Sequence, residues 1–163
     1  MELFGIEKGK TLVDIGAYCL MPNHFHLFLY EKIDDGVAKF MGKLSTAYSM
    51  YFNKKYERTG SLFEGTFKAK HIDSEPYFNW IFSYIYLNPV KLIDSKWREN
   101  GISDPVSARN FMQDYKYSSY YDYFIGERAE GVIVNKDTFP EYFAQLNDFE
   151  DIVSCFGDEM EFS

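Results

Sequence analysis

Two short apolar segments separated by a turn sequence constrain the fold of this chain more than any other feature. Residues 11–20 (TLVDIGAYCL) and 24–31 (HFHLFLYE) each have the length and apolar, aromatic content of a β-strand. The MPNH sequence between them has turn chemistry, because proline presets φ and asparagine tolerates left-handed backbone geometry. The sequence therefore predicts an antiparallel hairpin whose successive side chains point to opposite faces.

The hairpin carries two histidines on the same face. In the second strand His24, His26 and Phe28 share one face, whereas Phe25 and Leu27 share the other. Two imidazoles at positions i and i+2 are spaced to bind one metal ion. Histidines on a half-buried strand are more often hydrogen-bonded packing residues, so this pattern alone leaves both interpretations open.

A long amphipathic helix is predicted after the hairpin. Asp34 or Asp35 can cap it, and it runs to about Tyr56. Apolar residues at three- and four-residue steps give it one stripe, formed by Val37, Phe40, Met41, Leu44, Tyr48, Tyr51 and Phe52. The alternation over residues 66–73 predicts a further strand.

A second helix is predicted from a cap at Ser74, with Pro76 in its first turn. It ends near Asn88, because Pro89 disfavours helical geometry in the preceding residue. Tyr84 and Asn88 are four residues apart, so they project from one face of this helix. Later segments predict a short helix at 107–113, helical structure in 115–124, and one or two short helices in 138–156.

Tyr84 and Asn88 change the interpretation of the histidines. An amide oxygen can complete a metal site begun by two imidazoles, and a tyrosine one turn away would stand beside the metal. A tyrosine next to a Lewis acid that also binds a phosphate indicates nucleophilic attack at phosphorus. Magnesium prefers oxygen ligands, so two imidazoles suit Mn²⁺ or a softer ion at least as well.

The charge distribution favours a nucleic-acid partner despite a net charge of −8. Residues 127–163 contain ten acidic and two basic residues, and residues 1–126 contain fifteen of each. Residues 43–70 contain six basic and two acidic residues, a local charge of +4 where a polyanion could dock. A solvated helix face followed by a charged loop is the competing interpretation. We predict a main domain at 1–126 and an acidic, mostly helical extension at 127–163.

The bulk composition excludes several classes of protein. An aromatic content of 20% argues against intrinsic disorder, and no apolar run approaches the ~18 residues of a membrane helix. Cys19 and Cys155 lie far apart and match no metal or redox spacing. We expect a cytoplasmic protein without disulfides or membrane contact.

Four segments, in this order, resemble the single-tyrosine HUH transposases, in particular the repeat-associated tyrosine transposases and their insertion-sequence relatives. They are YCLMPNHFHLFL, RTGSLFEGTFKAKHID, YIYLNPVK and YSSY, and the resemblance spans about residues 11–124. It implies that His24, His26 and Asn88 bind Mg²⁺ or Mn²⁺ and that Tyr84 is the nucleophile. The implied reaction cleaves and rejoins single-stranded hairpin DNA through a 5′-phosphotyrosine.

The resemblance also implies a fold and a binding surface. The fold is α+β, with a ferredoxin-like antiparallel sheet and helices on one face. The family binds DNA through basic residues of the helix and the loop after it; here these would be Lys54, Lys55, Arg58, Lys68 and Lys70, with Phe63 and Phe67 interleaved among them. The oligomeric state is left open, with a homodimer as one option.

The chain departs from this family at its start. About ten residues precede the hairpin, so the family's opening strand and most of its first helix are expected to be missing. Losing that strand would expose backbone donors and acceptors along a sheet edge unless a partner supplied the pairing. Two alternatives therefore stay open: a catalytically inactive DNA-binding remnant, and a protein-interaction domain.

Several neighbouring aromatic and histidine residues are assigned to packing. We interpret His71 as a surface or packing histidine and Tyr86 as a packing residue. Tyr77 and Trp80 could stack on nucleobases, but a role in the helix core is the preferred interpretation. The tyrosine-rich segment 115–123 is likewise assigned to the core.

Overall fold

A two-stranded antiparallel hairpin holds both histidines in the structure, a computed structural model that describes residues 9–138 and 148–157. Strand β1 spans Val13–Leu20 and β2 spans Phe25–Glu31. Their register runs from Val13↔Glu31 to Leu20↔Phe25, with an irregularity between Ile15 and Ala17. The predicted hairpin is confirmed, with strand ends shifted by one or two residues, so that His24 lies in the turn just before β2.

Six α-helices and three 3₁₀ helices accompany this hairpin in the described part of the chain. The α-helices are α1 (Gly36–Lys55), α2 (Glu75–Leu87), α3 (Trp97–Asn100), α4 (Pro105–Asp114), α5 (Tyr120–Phe124) and α6 (Phe149–Gly157). The 3₁₀ helices span Asn88–Leu92, Ala129–Ile133 and Lys136–Thr138. The predicted α+β class with an antiparallel sheet is confirmed. The prediction over 138–156 lies partly outside the described residues, since 139–147 are not among them.

The strand predicted over residues 66–73 is wrong. This segment has no regular secondary structure, and nearly all its side chains are exposed. The alternation was compatible with a strand, but a strand also needs a neighbour whose backbone completes the hydrogen-bond ladder. Neither β1 nor β2 pairs with this segment.

The N-cap residue of α1 is one of the two predicted, but another side chain makes the capping hydrogen bond. Asp35 occupies the N-cap position with φ 59° and makes no side-chain capping hydrogen bond. Instead the Glu31 carboxylate accepts a hydrogen bond from the Val37 N–H at 3.0 Å. A Cβ on Gly36 would lie 2.5 Å from the Leu12 carbonyl oxygen, so this close approach of backbone to backbone requires glycine.

The predicted apolar stripe of α1 is only partly buried. Met41 is buried, whereas Leu44, Tyr48 and Tyr51 are exposed. Phe63, from the loop after α1, places its ring 6.3 Å from that of Tyr48 and 6.2 Å from that of Phe25 in β2. The end of α1 is thus linked to β2 through a small aromatic group.

The main core forms where α2 crosses the hairpin. Phe28 of β2 contacts Phe78 and Phe82 of α2, with ring centroids 4.7 and 4.6 Å apart. Ala17 and Cys19, which pair with the same face of β2, are fully buried in this cluster. Burial raises the pKa of the Cys19 thiol to about 12, and both cysteines are free. The face that carries His26 is therefore the face covered by α2.

The outer edge of β1, opposite β2, is bonded to residues 115–135. The Leu20 N–H donates to the Tyr117 carbonyl and the Ser119 N–H to the Tyr18 carbonyl, at 2.8 and 3.0 Å. The Tyr115 hydroxyl donates to the Leu20 carbonyl at 2.6 Å. The Tyr123 hydroxyl and the Asn135 N–H bond the carbonyls of Gly16 and Ile15. The outer edge of β1 is thus covered by this later segment, and the missing opening strand stays a prediction.

A buried ion pair fixes residues beyond 126 to the hairpin. Arg128 forms a two-point bond with the Asp122 carboxylate, with both N···O distances 2.7 Å. The same guanidinium donates to the Tyr18 hydroxyl at 3.0 Å and to the Ser118 carbonyl at 2.9 Å. These contacts join segments on both sides of residue 126, where the domain boundary stays a prediction.

Helix α6 packs against α2. Phe149 and Ile152 are buried in the main core. Phe156 stacks on Trp80 of α2 with ring centroids 5.4 Å apart. None of the helices in 9–138 and 148–157 combines the length and hydrophobicity that crossing a bilayer requires.

Candidate active site

The two histidines meet at the turn end of the hairpin. The His24 and His26 rings lie 5.1 Å apart, centroid to centroid, at an angle of 87°. His24 is exposed, and its Nδ1 lies 2.7 Å from the Asn23 side-chain oxygen. His26 is half-buried, and its Nε2 has no hydrogen-bond partner among the described residues. One imidazole thus faces solvent while the other has a free nitrogen inside the protein.

Both imidazoles are held in the neutral form. Burial, with a further contribution from His24 and Arg98, lowers the pKa of His26 to about 4. Burial, followed by the charges of Lys91 and Arg98, also lowers the pKa of His24. A neutral imidazole keeps a lone pair on one ring nitrogen, the form that binds metal ions. The pair can therefore act as ligands at neutral pH.

Tyr84 of α2 lies directly beside this pair. Its ring contacts that of His26 edge to face, with centroids 5.2 Å apart and an interplanar angle of 81°. Trp80 stacks on Tyr84 with ring centroids 5.3 Å apart and an interplanar angle of 12°. Tyr84 is half-buried, and its ring packs against both of these neighbours.

Asn88 lies one helical turn after Tyr84, because the helical backbone continues through it with φ −53° and ψ −40°. The residue is fully buried, and neither its amide nitrogen nor its amide oxygen has a hydrogen-bond partner in the described structure. A buried unpartnered amide is rare and calls for an explanation such as a missing ligand. No three His, Cys, Asp or Glu side chains among the described residues are grouped to hold a metal ion. A site at the two histidines would thus depend on a residue such as Asn88.

Arg98 is a residue at this site that the sequence did not reveal. It lies in α3, and its Nη2 donates a hydrogen bond to the Tyr84 hydroxyl at 3.0 Å. Its guanidinium carbon also lies 4.5 Å from the centroid of the Tyr84 ring. No periodicity or motif links positions 84 and 98, since they belong to different helices, so only the tertiary fold shows the contact.

The five basic residues predicted to bind DNA are all exposed: Lys54, Lys55, Arg58, Lys68 and Lys70. Three of them lie near aromatic rings. The Lys55 ammonium is 5.4 Å from the Tyr56 ring centroid, and the Arg58 guanidinium is 5.6 Å from that of Phe52. Lys70 lies 4.6 Å from the Tyr77 ring in α2, the helix that carries Tyr84. Cations and aromatic rings thus share this surface.

The structure agrees with most of the residues assigned to packing, but not with Tyr117. Tyr86 is fully buried, and burial raises the pKa of its hydroxyl well above the ordinary value. Tyr77 is buried, Trp80 is half-buried, and His71 is exposed. In the tyrosine-rich segment Tyr120 is in the core, whereas Tyr117 is exposed.

Comparison with known proteins identifies the family. The chain has no significant match among curated proteins or among solved structures. The family model described as "Transposase IS200 like" matches residues 4–88, more than half of the 163 residues. The match includes the histidine hairpin, Tyr84 and Asn88. Members of this family are transposases, which implies DNA as the partner and DNA cleavage as the reaction class. The chain belongs to the family of IS200-like transposases.

Proposed function

We propose that this protein is a metal-dependent transposase that cleaves and rejoins single-stranded hairpin DNA through Tyr84. The observation that carries this proposal is the contact between the Tyr84 and His26 rings, which places a phenol beside two neutral imidazoles. Family membership supplies the DNA substrate. The ring contacts support the assignment of Tyr84 and the two histidines, and the buried amide without partners supports the assignment of Asn88.

The side chains present fit a divalent metal ion. His24 and His26 offer neutral ring nitrogens, and the His26 Nε2 and the Asn88 amide are buried without partners. These three residues would hold Mn²⁺ or Mg²⁺, and two nitrogen ligands suit Mn²⁺ at least as well. A bound ion would draw electron density from the scissile phosphate and so make phosphorus more electrophilic.

In the proposed reaction the Tyr84 hydroxyl oxygen attacks phosphorus and loses its proton to water. The bond from phosphorus to the 3′ oxygen breaks, and that oxygen takes a proton to leave a free 3′-hydroxyl. The 5′ side of the DNA stays on Tyr84 as a phosphotyrosine. Attack by a 3′-hydroxyl on this linkage reverses the step, and because the number of phosphoester bonds is unchanged, no external energy source is needed.

Single-stranded DNA suits the surface that the basic residues share with aromatic rings. Unpaired bases stack on exposed aromatic side chains while cations follow the backbone. Tyr51, Tyr56 and Phe67 are exposed close in sequence to Lys54, Lys55 and Lys68. A duplex would present only its phosphates to such rings, so this surface favours unpaired DNA beside a hairpin.

The decisive experiment traps the covalent intermediate. A library of single-stranded hairpins with random flanks is incubated with protein and Mn²⁺, and the DNA that becomes covalently attached is amplified and sequenced. Peptide mass spectrometry then locates the phosphotyrosine. We expect it on Tyr84, lost in Tyr84→Phe and retained in Tyr86→Phe, a matched control that removes a buried hydroxyl two residues away.

The possible outcomes separate the alternatives. A covalent adduct that persists in Tyr84→Phe would refute the assignment of the nucleophile. Hairpin binding that needs no metal, with no adduct from the whole library, would indicate the inactive DNA-binding protein. Absence of binding to any hairpin at low salt, where phosphate contacts are strongest, would indicate the protein-interaction domain.

A further inference from the structure

Arg98 makes two different contacts with the proposed nucleophile. One N–H donates to the Tyr84 hydroxyl oxygen at 3.0 Å, and the guanidinium lies 4.5 Å from the ring centroid. The neighbouring residue Trp97 is 2% exposed and anchors α3 in the core. The position of Arg98 beside Tyr84 is therefore set by the fold.

Most of the hydrogen-bonding capacity of Arg98 remains open. A guanidinium has five N–H donors, and in the described structure the Arg98 side chain makes one hydrogen bond, to Tyr84. The side chain is exposed, so the other donors face solvent next to the hydroxyl oxygen. A planar set of donors matches the non-bridging oxygens of a phosphate.

The charge of Arg98 also extends over the histidine pair. Arg98 contacts Tyr84, whose ring lies 5.2 Å from that of His26, and the His26 ring lies 5.1 Å from that of His24. The guanidinium thus lies within electrostatic range of all three side chains that the proposed function places around the phosphate. A cation at this position is suited to an anionic group between Tyr84 and the histidines.

We propose that Arg98 is a catalytic residue that binds a non-bridging oxygen of the scissile phosphate while it holds the Tyr84 hydroxyl. This inference rests on the proposed function of Tyr84. When Tyr84 attacks, negative charge builds up on the non-bridging oxygens and on the departing 3′ oxygen. Arg98 stays protonated throughout and stabilises that charge through donors already in place, so no proton passes through it.

A second interpretation gives Arg98 a purely structural role. A cation over an aromatic ring stabilises packing by about 0.5–1 kcal/mol at exposed sites, without any contact to substrate. The two interpretations differ in one measurable respect. Only a phosphate contact makes the effect of an Arg98 substitution depend on the atoms of the scissile phosphate.

The test uses sulfur substitution at that phosphate. Hairpins selected with the unmodified protein are made with each non-bridging oxygen in turn replaced by sulfur, and rates of covalent attachment are measured. We expect one of the two diastereomers to react more slowly, without rescue by a thiophilic metal ion. That penalty should disappear in Arg98→Gln, which should also lower the rate on normal DNA by about 10²-fold, as expected for loss of one transition-state donor.

Two further variants control for folding and charge. Arg98→Lys keeps the charge but lacks the planar donors, so it should retain the fold and recover only part of the rate. Lys96→Gln removes an exposed cation two residues away that has no side-chain contact with Tyr84, and it should react like the unmodified protein. Circular dichroism melting confirms that each variant is folded.

The outcomes distinguish this inference from the function on which it rests. A slow Arg98→Gln with an unchanged sulfur penalty would overturn the phosphate contact, and so would a normal rate. Both results leave Tyr84 as the nucleophile. Loss of the adduct in every protein, or its survival in Tyr84→Phe, would instead overturn the proposed function.

Discussion

The ring of Tyr84 stands edge to face against the ring of His26, with centroids 5.2 Å apart. The two residues come from different elements, because His26 lies in β2 and Tyr84 in α2. The packing of Phe28 against Phe78 and Phe82 holds those elements together. The alignment of the proposed nucleophile with its proposed ligands thus depends on the hydrophobic core below them.

The first prediction concerns metal binding by the hairpin. Loss of a residue that only supports a metal ligand weakens metal binding by ~10–100-fold. His26→Ala removes a proposed ligand itself, so it should weaken Mn²⁺ binding by at least as much. Manganese binding is measured by electron paramagnetic resonance of the free ion. His71→Ala, at an exposed histidine far along the chain, is the control and should bind normally. Equal affinities of the two variants would remove His26 from the ligand set.

The second prediction is a trade-off at Asn88. Burying an amide without partners destabilises the fold, so Asn88→Leu, which is apolar and of similar size, should raise the free energy of unfolding by about 1–2 kcal/mol. The same change should abolish metal-dependent cleavage. Urea unfolding and adduct formation are measured on the same sample. A destabilised Asn88→Leu would show that the amide makes contacts that stabilise the fold.

The third prediction concerns the Arg128–Asp122 pair. The side chain of Asp122 is 1% exposed, so Arg128→Met leaves a buried carboxylate without its partner and should destabilise the protein by about 3–5 kcal/mol. The double variant with Asp122→Asn should recover much of that loss, because the uncompensated charge is gone. Urea unfolding of the two single variants and the double variant measures this coupling. Strictly additive losses would contradict it.

The fourth prediction is a pH dependence at Asp14. Burial would raise the pKa of its carboxyl, but hydrogen bonds from Lys32, Asn135 and Thr138 outweigh that effect and lower it. A lowered folded-state pKa means that the stabilisation is present above the unfolded pKa of about 3.9 and is lost as pH falls through the folded value. Asp14→Asn should therefore be less stable than the unmodified protein at pH 7, and this difference should shrink in acid. Urea unfolding at several pH values tests this, and a difference that is constant with pH would contradict it.

The fifth prediction concerns hairpin affinity. Replacing Lys54 and Lys55 by alanine should reduce the slope of log affinity against log salt by about 0.7 for each phosphate of single-stranded DNA that is no longer neutralised. Fluorescence anisotropy over a range of salt concentrations measures the slope. Lys116→Ala is the control, since this exposed lysine lies outside the predicted set. An unchanged slope in the double variant would place the DNA elsewhere.

Local pattern predicted the elements that carry the site. The hairpin follows from two apolar segments around MPNH. Helix α2 ends at Leu87, close to the predicted residue, but Pro89 does not prevent helical geometry at Asn88, because the chain continues as a 3₁₀ helix from Asn88 to Leu92. Helical spacing therefore still places Tyr84 and Asn88 on one face. The prediction of a strand over 66–73 was wrong because the alternation of apolar and polar residues shows only which side chains could share a face. It does not show whether another strand is available for pairing. Asp35 takes the predicted N-cap position of α1, but the capping bond could not be predicted locally, since it comes from Glu31 in the preceding strand.

Contacts between distant segments could not be predicted from spacing. Arg98 meets Tyr84 because α3 packs beside α2, and the Arg128–Asp122 pair meets Tyr18 because residues 115–135 fold back onto β1. Both contacts depend on how helices and strands pack together in three dimensions. The spacing of residue types along a single sequence does not show that packing. The DNA-binding role of the exposed lysines and the domain boundary at 126 stay predictions.

The covered edge of β1 has a consequence for the order of events during synthesis. Its hydrogen bonds join residues 95 and 107 positions apart, as between Tyr115 and Leu20 and between Tyr123 and Gly16. Contacts of such long range form late, because a large loop must close before they stabilise anything. A nascent chain emerging from the ribosome would therefore contain both histidines and Tyr84 well before these hydrogen bonds to β1 have formed. We expect the ability to cut DNA to arise only after the segment through residue 135 has been made and has folded back onto β1.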